Sequence, residues 1–175
     1  MERVRTAWCI TGAGYFLEES LGLLARCGDV TLFCSRAGEE VLGMYRFMEI
    51  LRETGIPVVT DRGASSPSCG GMALGRYDRL VIAPATANTV AKCALGIADT
   101  LPTNLFAQAG KAGVPSVLLP TDSDVVTTSK DPSGRSFEVR LREVDMENLK
   151  KLACFPGVDV ARSIERLAQW LHISF

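Results

Sequence analysis

Apolar positions fall in five short, nearly continuous runs: 4–10 (VRTAWCI), 29–34 (DVTLFC), 56–59 (IPVV), 79–83 (RLVIA) and 114–120 (VPSVLLP). Runs of this length, rich in Val, Leu and Ile, predict strands buried on both faces. Amphipathic stretches separate them. YFLEESLGLLARC predicts a helix with Phe16, Leu24 and Cys27 among its core-facing residues. GEEVLGMYRFMEILRET predicts another, with Val41, Tyr45, Met48 and Leu51 near helical spacing and Gly55 as its stop. Further helices are predicted from about Asn88, with Asn88 as N-cap, and from about Pro102 to Lys111. Strands alternating with helices predict a mainly parallel sheet covered on both faces: a three-layer Rossmann-like (flavodoxin-like) α/β domain.

The texture changes after Pro120. A polar stretch leads to a turn at DPSGR, then to SFEVRLREV, which alternates like a half-exposed strand. DMENLKKLA predicts a short helix capped by Asp145. In DVARSIERLAQWL, Val160, Ile164, Leu167 and Leu171 share one helical face. The expected organisation is one domain over residues 1–175, with a core at 3–121 and a C-terminal appendage at 122–175 packed on the sheet or on a neighbouring subunit. The long Gly/Ser/Pro-rich stretch at 60–78 is the exception to short connections, and loops of that length are usually functional or mobile.

Composition narrows the picture. The chain has 175 residues, 47% hydrophobic and 22% charged, an ordinary globular balance. A net charge of -1 gives no general attraction to nucleic acid or an anionic membrane. No apolar run approaches a membrane span, and Gly12 and Gly14 interrupt the N-terminal one, so no secretory signal or membrane association is expected and the location is expected to be cytoplasmic. The six cysteines form no C-x-x-C pair, which argues against a metal or cluster site within the chain. Cys9 and Cys34 read as small buried hydrophobes, whereas Cys69, in SSPSCGG, looks loop-borne.

In an open parallel sheet, ligands bind beyond the carboxyl ends of the strands, so the residues that follow each strand are the candidates. Thr11, Gly12, Ala13 and Gly14 follow the first, Ser35 and Arg36 the second, and Thr121, Asp122 and Ser123 the fifth. TGAG lacks a third glycine, since position 17 is Leu, and Ser35 stands where a ribose-binding acid is expected. A dinucleotide site is therefore disfavoured and a mononucleotide phosphate fits better, held by amides at a helix N-terminus and by hydroxyls. After the fourth strand comes PATANT. One polar residue suffices to cap a helix, but here Thr86, Asn88 and Thr89 stand together. Ala83, Ala85 and Ala87 leave room for a flat ring against the backbone.

The stretch APATANTVAKCALGIADTLPTN, with the N-terminal TGAG and Ser35, resembles the flavoprotein superfamily of homo-oligomeric flavin-containing cysteine decarboxylases. GRYDRLVIAPATANTVAKCALGIADTLPTN and VRLREVDMENLKKLACFPGVDV extend the likeness toward its archaeoflavoprotein and dihydromethanopterin reductase branch. The resemblance implies FMN as cofactor and a trimer-based homo-oligomer. It implies that Thr11, Gly12, Ala13, Gly14 and Ser35 bind the phosphate and ribose, and that Ala85, Thr86, Asn88 and Thr89 line the isoalloxazine. Asp99 and Asn104 recur in it as well, with helix capping and packing as an equal alternative. Ser65, Ser66 and Ser68 are candidates for closing over cofactor or substrate.

Two departures from the family pattern matter. There is no His before His172, and PTDSDVVTTSK stands in place of the decarboxylases' substrate-recognition loop. The expected activity is thus an FMN oxidoreductase in which reduced flavin, supplied with electrons by an unidentified donor, passes hydride to dihydromethanopterin or a related dihydropterin, with Asp122 or a water as proton source. An electron-transfer flavoprotein served by a ferredoxin-like partner, and a flavin-dependent decarboxylase, are the alternatives.

Overall fold

The computed structural model describes residues 3–61, 67–123 and 126–174. Its strands are β1 (Arg5–Ile10), β2 (Asp29–Cys34), β3 (Val58–Thr60), β4 (Arg79–Ala85), β5 (Ser116–Pro120), β6 (Val126–Lys130), β7 (Ser136–Arg140) and β8 (Val158–Val160). Six of them form one sheet in the order β3-β2-β1-β4-β5-β8, and every pairing in it is parallel. The chain winds outward from β1 to β3 and then returns to the far side of β1 as β4. The switch point between β1 and β4 is where the strand ends splay and a ligand cleft forms.

The apolar runs fill both faces because successive side chains in a strand point oppositely. Trp8 and Ile10 of β1 join Leu32, Val81, Val117 and Leu119 in one core. Ala7 and Cys9 join Phe33, Leu80, Ile82 and Leu118 in the other. The first core is covered by α1 (Leu17–Leu24), α2 (Arg36–Met44), α3 (Phe47–Glu53) and α7 (Ile164–Leu171), the second by α4 (Ala87–Leu95), α5 (Leu101–Ala112) and α6 (Glu143–Leu152). Trp8 is fully buried, and its indole N–H donates to the Ala83 carbonyl at 2.8 Å. Side chains also meet backbone amides at a helix start and a turn: Ser163 accepts from Arg166 N–H at 3.3 Å, and Asp131 closes the DPSGR turn by accepting from Ser133 N–H at 2.9 Å.

Several expectations need correction. The helix predicted over 38–54 is two helices, broken at Tyr45 and Arg46, where Arg46 takes φ 61°. Tertiary packing overrides local propensity there, because Tyr45 Oη donates to the Lys130 carbonyl of the β6–β7 hairpin at 2.8 Å. Asp145 is the third residue of α6 rather than its N-cap; Arg142 stands at the cap and is bound by the Asp145 carboxylate. Val160 belongs to β8, a sixth parallel strand beyond the five expected, and α7 begins after it. Gly55, at φ 69°, follows α3 as expected.

Candidate functional site

The switch point is built by a hydrogen-bonded stitch. Thr11, just past β1 and 2% exposed, donates its hydroxyl to the Pro84 carbonyl at 2.7 Å and accepts from Thr86 N–H at 3.1 Å. β4 makes this possible with a register shift between Ile82 and Ala85 relative to β5, which re-aims its end toward β1. Thr86 then caps α4, its hydroxyl accepting from Thr89 N–H at 3.2 Å. The cap expected at Asn88 is thus made by Thr86, so the exposed Asn88 side chain is left facing the cleft rather than consumed by the helix.

A cleft of about 390 Å³ opens between these strand ends. Thr11, Gly12, Ser35, Thr86, Asn88 and Thr89, all expected at the site, line it together. Ser35 caps α2, accepting from Gly38 N–H at 3.0 Å. The first amides of α2, at Arg36 and Ala37, have no partner among the described residues and open onto the cleft. Close packing fixes this corner. A Cβ at Gly12 would lie 2.6 Å from the Ala37 Cβ, and one at Gly38 would lie 2.5 Å from the Ile10 carbonyl. These two glycines are needed for α2 to approach β1, whatever the ligand.

The remaining expected residues separate. Ala13 and Gly14 line a second cleft of about 200 Å³, which shares Gly12 and Thr86 with the first. Asp122 lies in that second cleft, accepting from the Thr121 hydroxyl at 3.1 Å, and Tyr15 and Phe137 line the same cleft. Ala85 is fully buried, its carbonyl accepting from Thr121 N–H at 3.0 Å, and it lines neither cleft. Asp99 is exposed and ion-paired with Lys92 at 2.8 Å, and Asn104 donates its amide to the Thr100 carbonyl at 3.0 Å. Neither of these reaches the clefts within one chain; the reason is that Asp99 sits in the turn after α4 and Asn104 inside α5. Ser65 and Ser66 lie outside the described residues.

The sequence did not disclose Asp61, Thr100 and Pro102, which complete the larger cleft. Asp61 follows β3 at the strand's carboxyl end and accepts from Leu101 N–H at 3.4 Å. The strand-end rule would have found it had β3 been placed one residue later. Cys69 proves to be buried rather than loop-exposed. Burial, with Asp61 nearby, pushes its thiol up to about 11, so it is protonated and inert at neutral pH. Among the described residues no group of His, Cys, Asp and Glu could hold a metal ion. Among them, too, no helix is long and apolar enough to cross a membrane.

A parallel sheet with its cleft at the switch point, a glycine turn after β1 and a helix N-terminus at one end is the layout of a doubly wound α/β protein with an anion-compatible strand edge. The comparison with known families is more particular. The flavoprotein family profile matches residues 2–169, and the chain belongs to that family. It is 43% identical over 140 residues to dihydromethanopterin reductase (acceptor) of Methanocaldococcus jannaschii, covering 71% of this chain and 57% of that protein. It is 41% identical over 147 residues to the reductase of the same name from Methanosarcina mazei, covering 73% of this chain and 59% of that protein. The chain thus spans under two thirds of the length of these two reductases. The crystal structure of Burkholderia xenovorans DmrB in complex with FMN, described as a cubic protein cage for redox transfer, superposes with a TM-score of 0.90 at 40% identity. It covers 97% of this chain and 94% of that one.

Proposed function

We propose that this chain binds FMN in the switch-point cleft and reduces a dihydropterin to its tetrahydro form. The observation that carries the reading is the cleft between Ser35 and Asn88: amide donors at one end, small polar side chains at the other, and a groove of about 390 Å³ between. The residues present fit the cofactor. The free amides of Arg36 and Ala37, the helix dipole of α2 and the Arg36 charge would hold a phosphate. Gly12 lets the backbone come close, and Asn88 with Thr86 would hydrogen-bond the polar edge of a flat ring. Similarity to two dihydromethanopterin reductases and to FMN-bound DmrB supports both the cofactor and the substrate class.

Bound FMN supplies two-electron hydride chemistry that no side chain here can. The chain's part is to align and to exclude water. Saturating the pterin ring adds a hydride to carbon and a proton to nitrogen. Asp122, fixed by the Thr121 hydroxyl in the adjoining cleft, is the group positioned to hold or relay that proton. The electrons come from a separate donor. Assembly as a trimer-based homo-oligomer is part of the proposal, supported by the cage formed by DmrB. That relative's description as a cage for redox transfer also favours a second reading, an electron carrier without a small substrate.

One experiment separates the two. Protein reduced anaerobically is mixed with a dihydropterin. Flavin reoxidation matched by stoichiometric tetrahydropterin supports the reductase. A flavin that stays reduced leaves the carrier.

A further inference from the structure

Two charged residues line the switch-point cleft, Arg36 and Asp61. Arg36 opens α2 beside amides that suit a phosphate, but Asp61 puts a negative charge into the same space. Its backbone N–H donates to the Cys34 carbonyl at 3.2 Å, which fixes the residue at the end of β3. One carboxylate oxygen, Oδ2, accepts from Leu101 N–H at 3.4 Å, a long bond. The other, Oδ1, has no partner among the described residues. A carboxylate offers about four acceptor sites and no donor, so most of that capacity is unfilled. The threonine hydroxyls around it are committed within the protein. Thr11 bridges Pro84 and Thr86, the Thr86 and Thr89 hydroxyls lie 3.0 Å apart, and that of Thr100 lies 2.8 Å from that of Thr103.

Strand order sets which part of a flavin Asp61 can meet. β3 lies next to β2, whose end carries Ser35 and α2, and three strands from β4, whose end carries Asn88. Neighbouring strands are about 4.8 Å apart, so Asp61 stands about 5 Å from the strand of the phosphate end and about 14 Å from that of the ring end. The ring N–H is out of its reach. The phosphate is repelled by it and finds no substitute at α5, where Leu101 N–H is taken by Asp61 and Pro102 has no N–H. What adjoins the phosphate in FMN is the ribityl chain, whose hydroxyls are donors. A hydroxyl bonded to a carboxylate is charge-assisted and roughly twice as strong as a neutral pair.

We infer that Asp61 sets specificity for the polyol chain of the flavin, its free carboxylate oxygen accepting from the ribityl hydroxyls nearest the phosphate. The inference rests on the FMN reading above and adds the residue that tells a ribityl phosphate from a plain alkyl phosphate. The two charges of the cleft then have opposite tasks. Arg36 and the α2 amides hold the phosphate, while Asp61 keeps it at that end and binds the hydroxyls beside it.

The test titrates flavin-free protein with two flavins that share the fluorescent ring and the phosphate. One is FMN. The other is an analogue with the same dimethylisoalloxazine ring on an unsubstituted pentyl phosphate chain. Wild type is expected to bind FMN about tenfold more tightly, the scale of one hydroxyl–carboxylate hydrogen bond. Asp61→Ala is expected to remove that preference, chiefly by weakening FMN. Asp61→Asn keeps an acceptor for Leu101 N–H, so it holds the start of α5 should Asp61→Ala fail to fold. It is expected to lose most of the preference with the charge. Equal affinity of wild type for the two flavins overturns the inference, as does a preference undiminished in the variants or a loss of affinity shared by both flavins. Wild type that binds neither flavin overturns the FMN reading and the inference with it. FMN binding without discrimination overturns the inference alone.

Discussion

Thr11 shows how a residue at a ligand edge can be spent on architecture. Its hydroxyl both donates to Pro84 and accepts from Thr86, so it joins the ends of β1 and β4 and has little left for a ligand. Thr11→Val keeps the shape but leaves the part-buried Thr86 amide without that acceptor. The expected loss is about 1–3 kcal/mol of unfolding free energy in a urea titration. A variant as stable as wild type would show that the stitch is incidental. The sequence pointed to Thr11, Gly12, Ser35, Thr86, Asn88 and Thr89 because all follow strands at the same sheet edge, and the fold brings them around one cleft. It could not divide them into architecture and donors. That division depends on which hydroxyl meets which carbonyl across 73 residues of chain, as Thr11 and Pro84 do. Cys69 was misread for a related reason: a glycine-rich neighbourhood looks like an open loop, but here it is a 3₁₀ turn pressed against the second core.

At the scale of elements, hydrophobic pattern located β1 to β5, β7 and most helices, since each buried face leaves a direct imprint, but it missed β6 and β8. It failed where tertiary contacts reset the backbone. Nothing in GMYRFME announces a break, because the cause is the Tyr45 bond to a hairpin 85 residues away. The start of α6 failed differently. An acidic residue near a helix start suits both a cap and the third position, and Arg142 decides it by a paired contact with Asp145 at 2.8 Å through each of two nitrogens. The Arg142 guanidinium holds the Asp145 carboxyl below the usual carboxylate range. A carboxyl with a lowered folded-state pKa stabilises the protein above its unfolded value, near 4, and loses that contribution as pH falls through the folded value. Arg142 is 71% exposed, so screening limits the effect. Asp145→Asn is expected to cost no more than about 1 kcal/mol at neutral pH. Thermal unfolding should show the gap between wild type and variant closing below pH 4. A gap that persists in acid would assign the effect to shape rather than charge.

For the whole molecule, the return of the chain across β1 to form β4 is the decisive event. It creates the switch point, and the register shift at the end of β4 turns that point into a cleft with a helix N-terminus on either side. The two clefts along this edge form one path, from the α2 amides to Asp122. The most direct test of the central claim is a fluorescence titration of flavin-free protein with FMN, alongside Asn88→Leu. Saturation at one FMN per chain, weakened by about tenfold in the variant through loss of a ring-edge hydrogen bond, is the predicted result. Absence of binding, or binding indifferent to Asn88→Leu, would contradict the placement of the flavin at this edge.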